Sequence, residues 1–220
     1  MCGRYTLTVS SVQLAKRFAV APLELQPRYN IAPTQPVIAV RHGQHGRELA
    51  WLRWGLIPSW AKEASVGARM INARSETVLD KPAFRNAFRR RRCLLPASGF
   101  YEWQTTPTGK QPFYFTPLDD DVMTFAGLWD QWRAPDGTLI ESCAILTTAA
   151  NGVVAPIHDR MPVILPPELT DLWLDPMADA ARLYDLCLAP PPVALGVYPV
   201  SKAVNQVRND SEALIRPLLS

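Results

Sequence analysis

The hydrophobic residues of this chain fall in short segments that are separated by many of its twenty-one prolines. Several of these segments are rich in β-branched and aromatic residues and are bounded by turn residues, which predicts short, mostly antiparallel strands. The predicted strands cover residues 5–9, 37–41, 48–54, 93–96, 100–104, 113–116, 122–128, 142–147, 162–165 and 197–200.

Four other segments carry signals for helices. The first helix is amphipathic, is capped by Ser10 or Ser11 and runs to residue 18, and the second begins at Pro82 and runs to about residue 91. The other two helices are predicted over residues 167–174 and 177–188, and the run Pro190-Pro191-Pro192 ends the last one.

The composition is that of an ordinary folded domain. A chain of 220 residues with 48% hydrophobic residues can build one core. Neither an internal repeat nor a linker divides it, so we expect a single domain over residues 1–220. The expected fold class is α+β: one compact domain of many short, mostly antiparallel strands that form a barrel-like curved sheet, with a few flanking helices.

Composition also limits location and cofactors. Residues 1–10 lack the apolar core of a signal peptide, and no stretch has the roughly 18 apolar residues of a membrane span, so we expect a cytoplasmic protein. The cysteines are too widely spaced to indicate a zinc site or a disulfide framework. We therefore expect no metal and no cofactor. The cysteines are Cys2, Cys93, Cys143 and Cys187.

Cys2 follows the initiator methionine, which cytosolic aminopeptidases commonly remove before a small residue. The mature chain would then begin with a 1,2-aminothiol, which condenses with an aldehyde to a Schiff base and closes to a thiazolidine. Its α-amine has a pKa of about 7.7–8.0, against about 10.4 for lysine, so more of it is nucleophilic at neutral pH. Taken alone, Cys2 is better interpreted as a small buried hydrophobe.

The net charge of +3 does not by itself indicate a nucleic-acid-binding protein. Arginine outnumbers lysine, however, and its planar fork suits phosphate recognition. The run from Arg89 to Arg92 is expected to be a solvated face or a helix end rather than a DNA contact.

Six motifs stand in a fixed order along the chain. They are Cys2-Gly3-Arg4-Tyr5, Arg28-Tyr29-Asn30-Ile31-Ala32-Pro33, Trp54-Gly55-Leu56-Ile57-Pro58, Ile71-Asn72-Ala73-Arg74-Ser75-Glu76-Thr77, Gly99-Phe100-Tyr101-Glu102-Trp103 and Ile157-His158-Asp159-Arg160-Met161-Pro162. Together they resemble the SOS-response-associated peptidase (SRAP) family of abasic-site processing proteins. The resemblance runs from Cys2 to about Arg208.

The resemblance implies a catalytic set. In that family the N-terminal cysteine forms a thiazolidine crosslink with the open-chain aldehyde of an abasic site in single-stranded DNA. Cys2 is then the nucleophile, and the family's active-site asparagine, glutamate and histidine match Asn72, Glu102 and His158. A carboxyl or imidazole can deliver the proton that Schiff-base formation needs, and an amide can hold the sugar hydroxyls.

The resemblance also implies a DNA-binding set. The family's phosphate-contacting arginines match Arg4, Arg74 and Arg160. After Trp54-Gly55 this sequence departs from some members, which leaves Trp60 as the candidate for base stacking. The implied partner is single-stranded DNA with abasic sites, bound by a monomer that is nucleoid-associated when on DNA.

Three alternatives remain open. Without the six motifs, Glu102 would be interpreted as a structural ion-pair partner and His158 as a core histidine. A thiol peptidase would use Cys2 as nucleophile, His158 as base and Glu102 or Asn72 to orient it, and self-removal of Met1 would use the same groups. A noncovalent single-strand-binding module would leave Cys2 idle. A Schiff base beside an abasic sugar also permits β-elimination, so a lyase side activity stays open.

Overall fold

The computed structural model describes residues 2–190 and 192–218. None of the helices in these residues is long and apolar enough to cross a membrane. The strands are β1 (Tyr5–Leu7), β2 (Arg28–Ile31), β3 (Pro36–Gly43), β4 (Gly46–Trp54), β5 (Asn72–Arg74), β6 (Arg92–Ala97), β7 (Gly99–Thr106), β8 (Gly109–Pro117), β9 (Met123–Arg133), β10 (Leu139–Ala149), β11 (Arg160–Pro162) and β12 (Leu195–Pro199). The α-helices are α1 (Ser11–Phe18), α2 (Arg85–Arg90), α3 (Thr170–Leu174) and α4 (Ala180–Leu188). Short 3-10 helices cover Ala64–Arg69, Ser75–Thr77, Pro167–Leu169, Lys202–Asn205 and Glu212–Ile215.

The strands form a closed barrel and an open sheet. In the barrel, antiparallel pairs run from β4 through β3, β6 and β9 to β10, and a parallel pairing of β10 with β4 closes the ring. Beyond the ring, β10 also pairs with β5 and β11. The open sheet is antiparallel in the order β12, β8, β7, β1, β2. The expected α+β class with a barrel of short, mostly antiparallel strands is confirmed.

One hydrophobic cluster joins the barrel to the open sheet. Tyr5 of β1 packs edge-on against Trp54 of β4 at 5.3 Å and against Phe125 of β9 at 6.0 Å between ring centroids. Phe100 of β7 stacks on Phe115 of β8 at 4.8 Å and also meets Phe125. Because β1 starts at Tyr5, this packing anchors the N-terminal residues at the junction between the two sheets.

The structure corrects several predicted boundaries. The second helix begins at Arg85 and not at Pro82, since Lys81 first closes a turn in which its carbonyl accepts the N–H groups of Phe84 and Arg85. The last helix begins at Ala180, where the Asp179 side chain caps it. That helix ends at Leu188, and Pro191 of the predicted stop signal lies outside the described residues.

Two strands were not predicted, and one was misplaced. The missed strands are β2 and β5, which are short and rich in polar residues. The predicted strand over 162–165 lies at 160–162, because the backbone leaves β10 after residue 163 and continues in an isolated bridge to β9, in which Ile164 pairs with Phe125.

The C-terminal segment covers the edge of the open sheet at β2. Asn30 is fully buried, and its Nδ2 donates to the carbonyls of Val204, Gln206 and Asn209. The backbone N–H of Tyr29 donates to Asp210 at 2.5 Å. These contacts are made from β2 to residues that lie more than 170 positions later in the chain.

The arginine run at residues 89–92 divides into two kinds of side chain. Arg89 and Arg90 are exposed at the end of α2, as expected for a helix end. Arg92 is instead only 5% exposed and donates to four backbone carbonyls at the ends of α2 and α3. It satisfies carbonyl groups that a helix end leaves without partners. The acceptors are Phe88, Arg89, Trp173 and Asp175.

We expect Arg92→Met to lower the free energy of unfolding by about 3 kcal/mol or more, because buried carbonyls that lose a donor cost roughly 1–3 kcal/mol each. Urea denaturation of the purified protein measures this loss. Arg89→Met removes an exposed arginine from the same helix and should change stability by less than about 0.5 kcal/mol. Equal stability of the two variants would contradict the role given to Arg92.

Candidate active site

Asn72 is placed by the parallel pairing of β5 with β10, in which it lies opposite Ile145. Side chains alternate along a strand, so Ala73 points into the core while Asn72 and Arg74 point to the other side. Asn72 Nδ2 donates to the backbone carbonyl of Cys2 at 2.9 Å. Its Oδ1 is buried and accepts no hydrogen bond within the described part of the chain. Asn72 therefore holds Cys2 and keeps one acceptor for another group.

The Cys2 thiol is fully buried. Burial raises the pKa of this thiol, the negative charge of Glu102 raises it further, and a backbone hydrogen bond from Arg4 opposes the rise. The thiol is therefore neutral at physiological pH in this structure. Cys93, Cys143 and Cys187 are likewise buried and free. No cluster of three or more metal-ligating side chains is found in residues 2–190 and 192–218.

Glu102 lies on β7, on the same face of the strand as Phe100, which belongs to the hydrophobic core. It is only 2% exposed. Burial raises the pKa of its carboxyl, while the nearby His158 opposes this rise. A carboxyl group with a raised pKa is suited to donate a proton near neutral pH.

His158 is positioned by a compact loop between β10 and β11. The side chain of Asn151 accepts the backbone N–H of Val154, and the carbonyl of Val154 accepts the N–H of His158 at 3.0 Å. Gln104 of β7 donates to the carbonyl of Pro156 at 3.1 Å, which ties this loop to the strand that carries Glu102.

The imidazole of His158 faces Glu102, with 3.9 Å between Nε2 and Oε2. The backbone N–H of Arg160 donates to Nδ1 at 2.9 Å, which assigns the proton of the neutral ring to Nε2. Asp159 lies 3.1 Å from the same Nδ1 and would favour a proton there, but its side chain is 86% exposed. We base the tautomer on the backbone donor because water weakens an exposed carboxylate contact.

Glu102 and His158 open onto a cleft of about 430 Å³. Arg4 lies on its wall, where its Nη1 donates to Asn30 and to the carbonyl of Val204, both at 2.7 Å. A larger cavity of about 510 Å³ lies at the turn between β3 and β4. We assign the site to the smaller cleft because it contains the acid–base pair. The cleft is lined by Arg4, Glu102, Trp103, Lys110, His158 and Asn205.

The other three predicted DNA-binding residues lie in different settings. Arg74 is exposed at the end of β5. Arg160 is largely enclosed, and its guanidinium is held by Glu76. Trp60 is 63% exposed on the loop after β4, and backbone contacts of its neighbours Ser59 and Ala61 fix this loop to β9.

Thus the structure brings Cys2, Asn72, Glu102 and His158 together from four distant segments, with Arg4 beside them. Trp60 stands on a separate loop. The sequence analysis did not single out Trp103, Lys110 and Asn205, which line the cleft, or Glu76, which holds Arg160. Trp103 and Glu76 lie within the six motifs, whereas no pattern near Lys110 or Asn205 indicates a site.

The fold and cleft define an α+β protein in which a cysteine at position 2 lies close to a buried glutamate and its histidine neighbour. The profile of the family described as SOS response associated peptidase (SRAP) matches residues 1–207. The chain belongs to this family, and the resemblance drawn from the six motifs is confirmed.

Individual relatives agree with this assignment. The abasic site processing protein YoqW of Bacillus subtilis (strain 168) is 38% identical over 221 residues, which cover 98% of this chain and 99% of that protein. The abasic site processing protein HMCES of Xenopus tropicalis is 34% identical and is matched over 84% of this chain and 64% of its own length.

Solved structures give the same fold. A protein from Bordetella bronchiseptica is 30% identical with a TM-score of 0.80, covering 91% of this chain and all of that one. A protein from Bacteroides thetaiotaomicron reaches a TM-score of 0.89 over 99% of this chain and 100% of its own. At 23% identity, the second likeness supports the fold alone.

We expect Glu102→Gln to raise the melting temperature near neutral pH. The carboxyl has a folded-state pKa above its usual 4.5, so the wild-type protein loses stability as the pH rises from 4.5 through that raised value. Glutamine does not titrate, and the difference between the variants should shrink as the pH falls toward 4.5. Melting curves recorded between this pH and neutral pH measure the difference in melting temperature. The control is Glu24→Gln, which changes an exposed glutamate. A Glu102→Gln protein that is less stable near neutral pH would instead indicate a structural ion pair.

Proposed function

We propose that this protein binds single-stranded DNA that contains an abasic site and captures the site covalently through Cys2 after removal of Met1. The capture protects the site during the DNA damage response. The observation that carries this proposal is the placement of Cys2, whose carbonyl is held by Asn72 next to the pair of Glu102 and His158. The names of the relatives, which describe abasic site processing, support the choice of substrate.

The proposed reaction begins at the α-amine of Cys2. The amine adds to the aldehyde carbon of the opened sugar, and the resulting carbinolamine loses its hydroxyl as water after that hydroxyl takes up a proton. The thiol sulfur then adds to the imine carbon while the thiol proton passes to the nitrogen, and the five-membered thiazolidine is complete. Because both nucleophiles belong to one residue, ring closure is intramolecular and has a high effective concentration.

Glu102 and His158 supply the proton transfers. The raised pKa of the Glu102 carboxyl makes it a donor to the departing hydroxyl, and the Nε2 atom of His158, 3.9 Å from Oε2, exchanges a proton with this carboxyl through one water. The free Oδ1 of Asn72 accepts a hydrogen bond from a hydroxyl of the opened deoxyribose.

The strand itself is bound by charge and stacking. Arg4 lies on the cleft wall and Arg74 is exposed at the end of β5, and both contact backbone phosphates. Arg160 is the third arginine of this set, and Glu76 holds its guanidinium in this structure. Trp60 offers an exposed ring to a base without demanding a sequence.

While Met1 is attached, the state of the Cys2 thiol argues against self-removal of Met1 by a thiol-peptidase mechanism. A peptidase needs a thiolate nucleophile, whereas burial and Glu102 raise the pKa of Cys2. Aldehyde capture begins at the amine and accepts a neutral thiol. The same imine could undergo β-elimination with strand scission, but ring closure consumes it.

Cys2→Ala should abolish the heat-stable crosslink, because the thiol closes the ring, and should leave a Schiff base that borohydride traps. The assay is a denaturing gel of the protein with a single strand that carries one abasic site, and a cleaved strand on this gel reports the lyase reaction. Cys187→Ala, which removes another buried thiol, is the matched control and should crosslink normally. An equally abundant crosslink from Cys2→Ala without reductant would exclude the thiazolidine.

The state of the N-terminus is checked in the same experiment. Intact-mass measurement of the crosslinking protein should show that Met1 is absent, because a retained methionine ties the α-amine of Cys2 into a peptide bond. Normal binding of the strand with no covalent product from a correctly processed protein would favour the noncovalent module.

Glu102→Gln and His158→Ala should each slow single-turnover crosslinking by roughly 10²-fold if one group alone provides the proton transfer. Binding of an intact single strand should stay nearly unchanged in both, because neither group contacts the phosphates in this assignment. Rates and affinities are measured side by side with thermal melts. A variant that is destabilised yet crosslinks at the normal rate per folded molecule would remove that residue from the chemistry.

A further inference from the structure

Glu76 lies in the short helix Ser75–Thr77, directly after β5. It forms a bidentate ion pair, here called the fork, with Arg160 of β11. Arg160 Nη1 lies 2.5 Å from Oε1 and Nη2 lies 2.9 Å from Oε2 of the glutamate. Nη2 also donates to the carbonyl of Thr147 at 2.6 Å. Both terminal nitrogens of Arg160 are thus engaged within the protein.

This fork neutralises the charge of Arg160. Hydrogen bonding from Arg160, with further charge effects from Arg160 and Arg74, lowers the pKa of the Glu76 carboxyl, which is therefore ionised at neutral pH. The side chain of Arg160 is only 12% exposed, while that of Glu76 is 43% exposed. The glutamate is therefore the more exposed member of the pair.

A carboxylate and a phosphate bind an arginine fork in the same bidentate manner. The two anions cannot occupy one pair of Nη atoms together, and like charges held so close repel each other. Within residues 2–190 and 192–218, no carboxylate is seen to hold Arg74 in such a fork, although its charge lowers the pKa of Glu76. Of the three arginines that the resemblance places in one phosphate-binding set, Arg74 and Arg160 are therefore in different states.

We infer that Glu76 is a built-in competitor of the DNA phosphate for Arg160. This inference rests on the proposed function and concerns the regulation of the same site. An intact strand binds through Arg4 and Arg74 while Glu76 keeps Arg160 occupied, so noncovalent affinity stays low. A strand that is held at Cys2 has a high local phosphate concentration and displaces the carboxylate.

The test is binding of an intact, fluorescently labelled single strand to Glu76→Gln. Glutamine keeps the shape of the side chain and removes its charge, so the variant should bind about 5-fold tighter or more at low salt. The slope of log affinity against log salt should steepen by about one unit or slightly less, since one more phosphate is neutralised. Glu76→Ala, which removes the acceptor entirely, should show the same gain.

Two controls make the test specific. Glu168→Gln removes an exposed charge elsewhere and should give little gain. The gain should also require Arg160: adding Glu76→Gln to an Arg160→Ala protein should not tighten binding beyond that of Arg160→Ala alone. Thermal melts confirm that each variant is folded, as expected for the partly exposed Glu76.

The outcomes separate the two proposals. A gain that requires Arg160 supports the inference. Unchanged or weaker binding by Glu76→Gln and Glu76→Ala, or an equal gain in Glu168→Gln, overturns it while leaving the proposed function intact if the wild-type protein still crosslinks abasic strands. A wild-type protein that is free of Met1 but neither binds nor crosslinks such strands overturns the proposed function and this inference with it.

Discussion

The hydrogen-bond ladder of β10 is the constraint on which the rest of the structure depends. Its first half closes the barrel between β9 and β4, and its second half lies between β5 and β11. The strand that carries Asn72 and the strand that follows His158 are therefore positioned by the same backbone that closes the core. A shift of register along β10 would turn Asn72 away from Cys2, because neighbouring side chains alternate between faces. Site geometry and barrel closure are one requirement.

Along β10, stability of the fold and geometry of the site depend on the same contacts. At Glu102 they are opposed, because a carboxyl that is suited to the chemistry destabilises the fold when it ionises. A buried carboxyl on β7 is expensive to ionise, and burial raises its pKa. Arg92 is equally buried, but it stabilises the fold by satisfying carbonyls at two helix ends. These two buried ionisable residues thus have different physical roles, and their partners distinguish them. Arg92 contacts backbone carbonyl groups, whereas Glu102 lies near the imidazole of His158 beside an open cleft.

The sequence was sufficient to predict the elements that carry strong local signals and the site residues that lie inside specific motifs. The long barrel strands and the helix capped by Ser10 were predicted because β-branched and aromatic runs, turn residues and capping residues are local signals. Strands β2 and β5 were missed because three or four mixed residues carry no period, and only their partners make them strands. The fork between Glu76 and Arg160 joins residues 84 positions apart, so no spacing could indicate it. Nor could the sequence show that Lys110 and Asn205 face the same cleft, because that depends on how a hairpin meets the C-terminal segment.

The C-terminal segment covers the edge strand β2, and this contact has a consequence for how the chain folds while it is being synthesised. Val204, Gln206 and Asn209 supply the acceptors for buried Asn30, Val204 also holds Arg4, and Asn205 completes the cleft wall. These residues are synthesised after all the barrel strands, so a nascent chain can close its barrel while the edge of its open sheet still lacks partners. An uncovered edge strand is a template for pairing with another chain. The cleft therefore becomes complete only after residues 204–209 have been synthesised, and a protein cut short before residue 204 would have both an unfinished cleft and an edge strand open to pairing with another chain.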